Sequence, residues 1–355
     1  MSEGQRSHRR YNPLLDEWVL CSPGRLDRPW RGQMEPVFEE ALPAYDPDCP
    51  LCPGNRRARG ERNPAYTRTF AFDNDFPALS PPAPEGPAAV APLLRAEPES
   101  GTCRVVCFSP RHDLTLAGME TAAIRGVVDA WAEEVSRLGS SAAVAHVQVF
   151  ENKGAMMGCS NPHPHCQVWA TRNVPTGPVR RLAAQRRYFE EKGRDLLGDY
   201  LSSEREDGRR IVCANDHWTA LVPFWAAWPY ETIVIPARPA PHLPDLASEE
   251  RDALADLLGR LNRRYDNLFA CSFPYSMAWH GRPTDGGDHP YWRLHASYFP
   301  PLLRSATVRK FVVGYELAAE AQRDITPEEA AARLRAVPES ALRAAAEAAA
   351  PARTP

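Results

Sequence analysis

The 355-residue chain contains no stretch approaching the ~20 apolar residues needed to span a membrane. Its first 13 residues lack the apolar run of a secretory leader, so a cytoplasmic protein is expected. Neither sign of charge dominates: 42 Lys and Arg stand against 45 Asp and Glu, a formal net charge of −3. Broad electrostatic affinity for nucleic acid is therefore not expected. There is no Walker A or Rossmann glycine fingerprint, no short-period repeat and only one C-x-x-C. The nine cysteines are odd in number and irregularly spaced, which argues against a disulfide framework and for reduced thiols, with the paired ones suggesting metal.

The length admits two domains or one large duplicated one. The 36 prolines and 21 glycines predict many turns and few long helices. Residues 11–21 read as a hairpin, with Asn12-Pro13 and Asp16 supplying the turn. Residues 80–98, rich in Pro and Ala, read as an irregular surface loop. Residues 104–108 form a compact β-branched run. Ile124, Val127, Val128, Trp131, Val135 and Leu138 recur at helical spacing over 121–138, and 144–150 alternates as a strand. The second half repeats this grammar. A charged helix is predicted over 181–192, two strands flank Asn215-Asp216, and another strand spans 232–236. An amphipathic helix follows over 249–268, then a cluster of strands over 275–299. The Ala-rich tail has little to bury, and disorder is expected from about Ala349.

Two constellations carry chemistry. Cys49 and Cys52 lie three residues apart, set between prolines and followed by a Pro-Gly pair, in a knuckle suited to gripping one metal ion. Two unrelated thiols in a turn are the plain alternative. A redox reading lacks its βαβ context. The second constellation is Asn161-Pro162-His163-Pro164-His165-Cys166-Gln167-Val168-Trp169. Strand periodicity would place His163, His165 and Gln167 on one face, and the prolines argue against a helix. Metal ligand, catalytic base and phosphate contact are all open to these side chains, beside packed structural histidines. Upstream, residues 154–160 form a small-residue loop that could bring backbone N–H groups to a phosphate.

The run FENKG leading into GCSNPHPHCQVWA resembles the active-site segment of the galactose-1-phosphate uridylyltransferase family, part of the histidine-triad superfamily. The resemblance extends in order through RRYNPLLDEWVLCSPGRLDRPW, CPLCPGN, FDNDFPAL, VVCFSPRHDLTLA, YDNLFACSFPYSMAWHG and PPLLRSATVRKFVVGYE, roughly Arg9 to Val337. It implies an α+β fold of two related histidine-triad-like halves, mostly antiparallel sheet flanked by helices. Residues 1–176 would carry the metal site and nucleophile, 177–337 the sugar and dimer contacts, and 338–355 a partly disordered tail. It also implies UMP transfer from UDP-glucose to galactose 1-phosphate, by way of a uridylylated histidine. His165 matches the nucleophile and Gln167 the group that hydrogen-bonds the transferred phosphoryl. Cys49, Cys52, His112 and His163 match a closed structural zinc site.

The resemblance further implies that Asn74, Asp75 and Phe76 contact uridine, and that Asn152, Gly158, Cys159 and Ser160 line the phosphates. Arg25 and Arg28 would bind phosphate across a homodimer interface. Lys310, Phe311, Val313, Tyr315, Glu316 and Gln322 would read the hexose. Without the resemblance, these arginines read as surface charge, and Phe311 and Tyr315 as packing. A related phosphorylase acting on an ADP-sugar or a dinucleoside polyphosphate, a histidine-triad hydrolase and a zinc-stabilised binding module remain alternatives. The sequence also departs from the family. Of a second, iron-binding set of one Glu and three His, only His280 and His295 match; Arg181 and Ser297 stand at the other positions, and no second metal is expected. Cys166 replaces the usual Gly before Gln167 and is expected to pack on the opposite face from His165.

Overall fold

A computed structural model describes residues 6–25, 42–80, 89–91 and 93–342. The chain opens with the predicted hairpin, β1 (His8–Asn12) and β2 (Glu17–Cys21), in register from His8–Cys21 to Asn12–Glu17. Its turn is set locally: the Asn12 side chain accepts the Leu14 N–H at 3.0 Å, and Asp16 takes the left-handed conformation at φ 56°. Then come β3 (Phe70–Asp73), β4 (Ala89–Ala91), β5 (Leu94–Arg95) and β6 (Gly101–Cys107). β4 and β5 pair with each other within the segment read as an irregular loop. Residues 81–88 and 92 of that loop lie outside the described residues, as do Arg28 and the tail from 343, including the expected disorder from Ala349.

Helix α1 (Thr121–Gly139) follows, then β7 (His146–Lys153) and β8 (His165–Thr171). Next come α2 (Thr176–Lys192), α3 (Leu196–Asp207), β9 (Ile211–Ala214), β10 (Trp218–Leu221), β11 (Thr232–Pro236) and α4 (Ser248–Leu268). The chain continues through β12 (Tyr275–His280), β13 (His295–Phe299), β14 (Leu302–Ser305) and β15 (Val308–Arg309). It ends in α5 (Tyr315–Ala318), β16 (Ala321–Arg323) and α6 (Pro327–Ala336). All six apolar residues that predicted α1 are buried. So are Leu254, Leu257, Leu258 and Leu261 of α4, because their spacing keeps them on one side of the helix.

A nine-stranded sheet, ordered β3-β6-β8-β7-β12-β13-β11-β10-β9, organises the molecule, and every pairing in it is antiparallel. The series β6-α1-β7-β8 and β11-α4-β12-β13 repeat one topology. The two meet where β7 pairs with β12, so the order β6-β8-β7 is mirrored by β12-β13-β11. Helices α1 and α4 pack together on one face. There Trp131 of α1, Trp279 of β12 and Trp218 of β10 form a fully buried tryptophan chain with ring centroids 6.0–6.1 Å apart. The other face holds the half-buried side chains of β8, His165, Gln167 and Trp169, while Cys166, Val168 and Ala170 turn into the helix-covered core. A separate small sheet joins β1 and β2 to β16, which runs parallel to β2.

Candidate active site

The metal-ligating group assembles from four separated positions. Sγ of Cys49, Sγ of Cys52 and one ring nitrogen each of His112 and His163 lie within 4.8 Å of one another, and all four residues are buried. The knuckle is closed by the Cys52 N–H donating to the Cys49 carbonyl at 3.2 Å, and Leu51 N–H lies 3.3 Å from the Cys49 sulfur. Nδ1 of His163 faces Cys52 Sγ at 3.5 Å, and Nδ1 of His112 faces it at 3.7 Å. On the far side of the His163 ring, Nε2 lies 2.9 Å from the Ser109 carbonyl and 3.0 Å from the Tyr66 hydroxyl. A ring donating outward to a carbonyl presents its bare nitrogen inward, which is how metal-bound histidines are oriented.

Burial holds His163 neutral, with its pKa down at about 4, and pushes the Cys52 thiol up to about 11. Thiolates in that environment need a cation beside them, and two thiols with two imidazoles are a donor set for a borderline-soft ion in a closed tetrahedral shell. The residues therefore fit a structural metal. They tie the N-terminal knuckle to the segment that enters β8.

His163 is not on that strand. β8 starts at His165, and His163 sits in a bend where the Asn161 side chain accepts its N–H at 2.9 Å. The Phe108 N–H takes the Pro164 carbonyl at 2.9 Å. Of the three residues expected on one strand face, His165 and Gln167 share it, and His163 turns away into the metal-ligating cluster.

His165 lies opposite Cys107 in register. Its Nδ1 is 2.7 Å from the His163 carbonyl, which can only accept, so Nδ1 carries the proton and Nε2 keeps a free lone pair. Burial lowers its pKa below the ordinary imidazole value, which keeps the ring neutral and nucleophilic. Gln167 is oriented in turn: the Trp169 indole N–H donates to its side-chain oxygen at 3.0 Å, leaving the amide NH₂ as the free donor. Trp169 is braced edge-on against Phe150 at 5.4 Å, and Phe150 faces Gln167 in register. Cys166 packs on the opposite face, 1% exposed, with its sulfur 3.2 Å from the buried Trp131 indole nitrogen.

The other expected residues fall into three groups. Asn152 extends from β7 on the same face and is bonded by Ser276 at 2.7 Å. After it, Gly154 (φ 85°) and Gly158 (φ 78°) turn the chain through conformations that favour glycine, and the Cys159 sulfur lies 3.0 Å from the Asn161 carbonyl, with Ser160 between them. Asn74 makes a local turn by accepting the Phe76 N–H at 2.9 Å, Asp75 lies 3.9 Å from Arg57, and Phe76 is 78% exposed. The third group surrounds β16. Lys310 pairs with Glu316 at 2.6 Å and also meets the Gln322 carbonyl. The Gln322 side chain and Arg25 both bond Asp324, at 2.7 and 3.1 Å. Phe311, Val313 and Tyr315 are exposed. Among the described residues, no hydrogen bond or ion pair joins this third group to His165 or Gln167.

Tyr66 and Ser109 carry no signal in the sequence, and Asn161 and Trp169 stand there only as the ends of the run around His165, without a role. Trp169 alone had a signal, since position i+2 from Gln167 on a strand shares its face. Asn161 acts through a local turn two residues before His163, and Tyr66 and Ser109 are brought to the site by the tertiary fold.

A model of the galactose-1-phosphate uridyl transferase N-terminal domain matches residues 1–175, and one of the C-terminal domain matches 181–346. The chain is 53% identical to the galactose-1-phosphate uridylyltransferase of Rattus norvegicus over 338 residues, covering 94% of this chain and 89% of that one. It is 49% identical to the enzyme of that name from Haemophilus influenzae, covering 94% and 95%. A solved uridylyltransferase structure superimposes with a TM-score of 0.74 at 26% identity, covering 96% of this chain and 99% of the other. An ADP-glucose phosphorylase from Arabidopsis thaliana, at 23% identity and the same TM-score, shares the fold. This chain belongs to the galactose-1-phosphate uridyl transferase family.

Proposed function

We propose that the chain transfers UMP from UDP-glucose to galactose 1-phosphate, yielding glucose 1-phosphate and UDP-galactose, with His165 as the nucleophile. The observation that carries this reading is the 2.7 Å contact between His165 Nδ1 and the His163 carbonyl, which leaves Nε2 free. Nε2 attacks the α-phosphorus of UDP-glucose. The bond from that phosphorus to the bridging oxygen breaks, and its electrons leave with glucose 1-phosphate. The positive charge that develops on the ring is met by the His163 carbonyl. A phosphate oxygen of galactose 1-phosphate then attacks the same phosphorus, the P–N bond breaks, and neutral imidazole returns. Splitting one displacement into two lets a single site serve both sugars in turn. The amide NH₂ of Gln167, turned outward by Trp169, donates to a nonbridging phosphoryl oxygen. An amide is no general acid at neutral pH, which suits transfer to a phosphate rather than to water.

Cys49, Cys52, His112 and His163 would hold one zinc ion as a structural brace, with no step of the reaction passing through it. Arg181, whose positive charge acts on both His280 and His295, argues against a second metal. Asn74, Asp75 and Phe76 are assigned to uridine, and Asn152, Gly158, Cys159 and Ser160 to the phosphates. Arg25, Lys310, Phe311, Val313, Tyr315, Glu316 and Gln322 are assigned to the hexose phosphate of a partner's site, in a homodimer. Two things support the dimer: this group makes no bond to its own chain's His165 among the described residues, and its apolar side chains are uncovered. The repeat of β6–β8 by β11–β13 supports a division of the chain near 176/177. None of the nine cysteines is in a disulfide, which suits a reducing cytoplasm, and no helix among the described residues is long and apolar enough to cross a membrane.

The test is incubation with UDP-glucose, and separately with ADP-glucose, followed by intact mass measurement. A mass gain of one UMP from UDP-glucose alone, absent in His165→Ala, is the expected result. No covalent adduct on active protein would overturn the two-step mechanism, and an AMP adduct would overturn the substrate assignment.

A further inference from the structure

Four buried histidines, His146, His242, His280 and His295, take no part in the reaction, and each has a ring nitrogen with no hydrogen-bond partner among the described residues. Two of them form a pair. His280 closes β12 opposite His295 at the start of β13, with ring centroids 4.7 Å apart, and they are 6% and 0% exposed. Both nitrogens of His280 and Nε2 of His295 are unpartnered. Helix α2 packs beside this pair: its Gln185 side chain accepts the Arg293 N–H at 3.4 Å, two residues before His295, and Arg181 lies one helical turn earlier, where its charge disfavours protonation of both rings. The Arg181 guanidinium has no ion-pair partner among the described residues. Its Nε is buried without an acceptor, and its one hydrogen bond, to the Gly177 carbonyl, is long at 3.5 Å. The two carboxylates that influence it are engaged elsewhere. Glu231 accepts the N–H groups of Ala227 and Trp228 at 2.7 and 3.0 Å, and Glu17 pairs with Arg180 at 3.1 Å.

Buried polar groups in folded proteins are ordinarily satisfied; the Arg181 side chain is partly exposed, but its Nε is buried and its charge stands beside two neutral rings. The protonation pattern shows what could satisfy these. Nδ1 of His295 lies 3.0 Å from the Arg293 carbonyl, so its proton is there and Nε2 is an acceptor. This repeats the His165–His163 arrangement on the counterpart strand of the second half. Arg181 Nε–H is a donor, and neutral His280 offers one donor and one acceptor. A divalent metal would suit the lone pairs but would face the guanidinium. Water would complete the hydrogen bonds but bring no negative charge to Arg181, whose nearest carboxylates are engaged elsewhere. A small anion that still carries a proton does both.

We propose that Arg181, His280 and His295 form a second, non-catalytic site that binds a protonated oxyanion of the hydrogen phosphate class and fastens α2 to the paired ends of β12 and β13. The P–OH donates to His295 Nε2, while the charged oxygens accept from Arg181 Nε–H and the His280 N–H. The inference is independent of uridylyl transfer.

The experiment uses full-length, metal-replete protein with saturating UMP in the catalytic centre, titrated with inorganic phosphate at constant ionic strength and followed by calorimetry and thermal unfolding. One phosphate binds per chain and raises the unfolding temperature. Sulfate, with no proton for His295 Nε2, binds at least about tenfold more weakly, the value of one hydrogen bond involving a charged group. The phosphate-dependent rise persists in His165→Ala and disappears in Arg181→Gln. Should Arg181→Gln fail to fold, the phosphate–sulfate comparison on the unmodified chain decides. The proposal is overturned by equal binding of the two anions, by a rise no larger than chloride gives, by a rise unchanged in Arg181→Gln, or by uptake of a second equivalent of zinc or iron.

Discussion

Replacing Cys166 tests whether the two faces of β8 are as separate as the structure makes them. The side chain is 1% exposed, and its sulfur accepts the indole N–H of Trp131, which is itself fully buried. Cys166→Gly removes the acceptor and leaves a buried N–H unpaired, at about 1–3 kcal/mol. It also deletes a buried side chain and places glycine inside a strand, for roughly another 1–2 kcal/mol together. The expected loss is about 2–5 kcal/mol in urea unfolding. Cys166→Ser keeps an acceptor for Trp131 and should be the more stable variant. Since His165 and Gln167 point the other way, kcat and KM of the folded variants should stay within about twofold of the parent. The reasoning fails if Cys166→Gly loses less than about 1 kcal/mol, which is below even the unpaired N–H alone. It fails equally if the variant is stable but its kcat collapses, since the sulfur would then be acting on the catalytic face.

Three further predictions concern the supports of the site. Trp169→Phe keeps the ring but removes the N–H that fixes Gln167, so kcat should fall on the order of tenfold with KM for UDP-glucose little changed. An unchanged kcat would show that the amide needs no such support. Purified active protein should contain one zinc per chain. Stripping it should lower unfolding stability and activity together, and less than half an equivalent in active protein would remove the assignment. In phosphate-free buffer, stability should fall with acid. Burial holds His242 and His295 at about 3, against an ordinary value of 6.5, so the unfolded chain takes up their protons first. That stability is complete above pH 6.5 and is lost as pH drops toward 3, at up to about 1.4 kcal/mol per pH unit for each group. A flat urea midpoint between pH 7 and 5 would contradict it.

Sequence periodicity located most of the elements that place the site. The spacing of Ile124 to Leu138 gave α1, the leucines gave α4, and the Asn12–Asp16 chemistry gave the first hairpin, because each depends on neighbours within a few residues. The His-Pro-His run was read as continuous strand, yet Pro164 and the Asn161 turn end the alternation before His163. Local turn chemistry there outweighed a period of two. The short pairing of β4 with β5 escaped because a Pro- and Ala-rich segment carries no strand signal.

What the sequence determined by itself was the chemistry available: two thiols in a knuckle, an imidazole and an amide two residues apart on a strand, and a chain long enough to hold a repeated α+β unit. Residue type and short spacing are enough for that. What only the tertiary structure decided was which groups meet and in which protonation state. Cys52 and His163 are 111 residues apart in the chain and 3.5 Å apart in space. Trp131 reaches Cys166 across 35 residues. The proton of His165 is assigned by a carbonyl whose direction follows from the bend before β8, and Arg181 acts on His280 and His295 because α2 packs against the Arg293 segment that leads into β13. Contacts between distant segments, and the burial that shifts proton affinity, depend on how the elements pack, which local sequence does not encode.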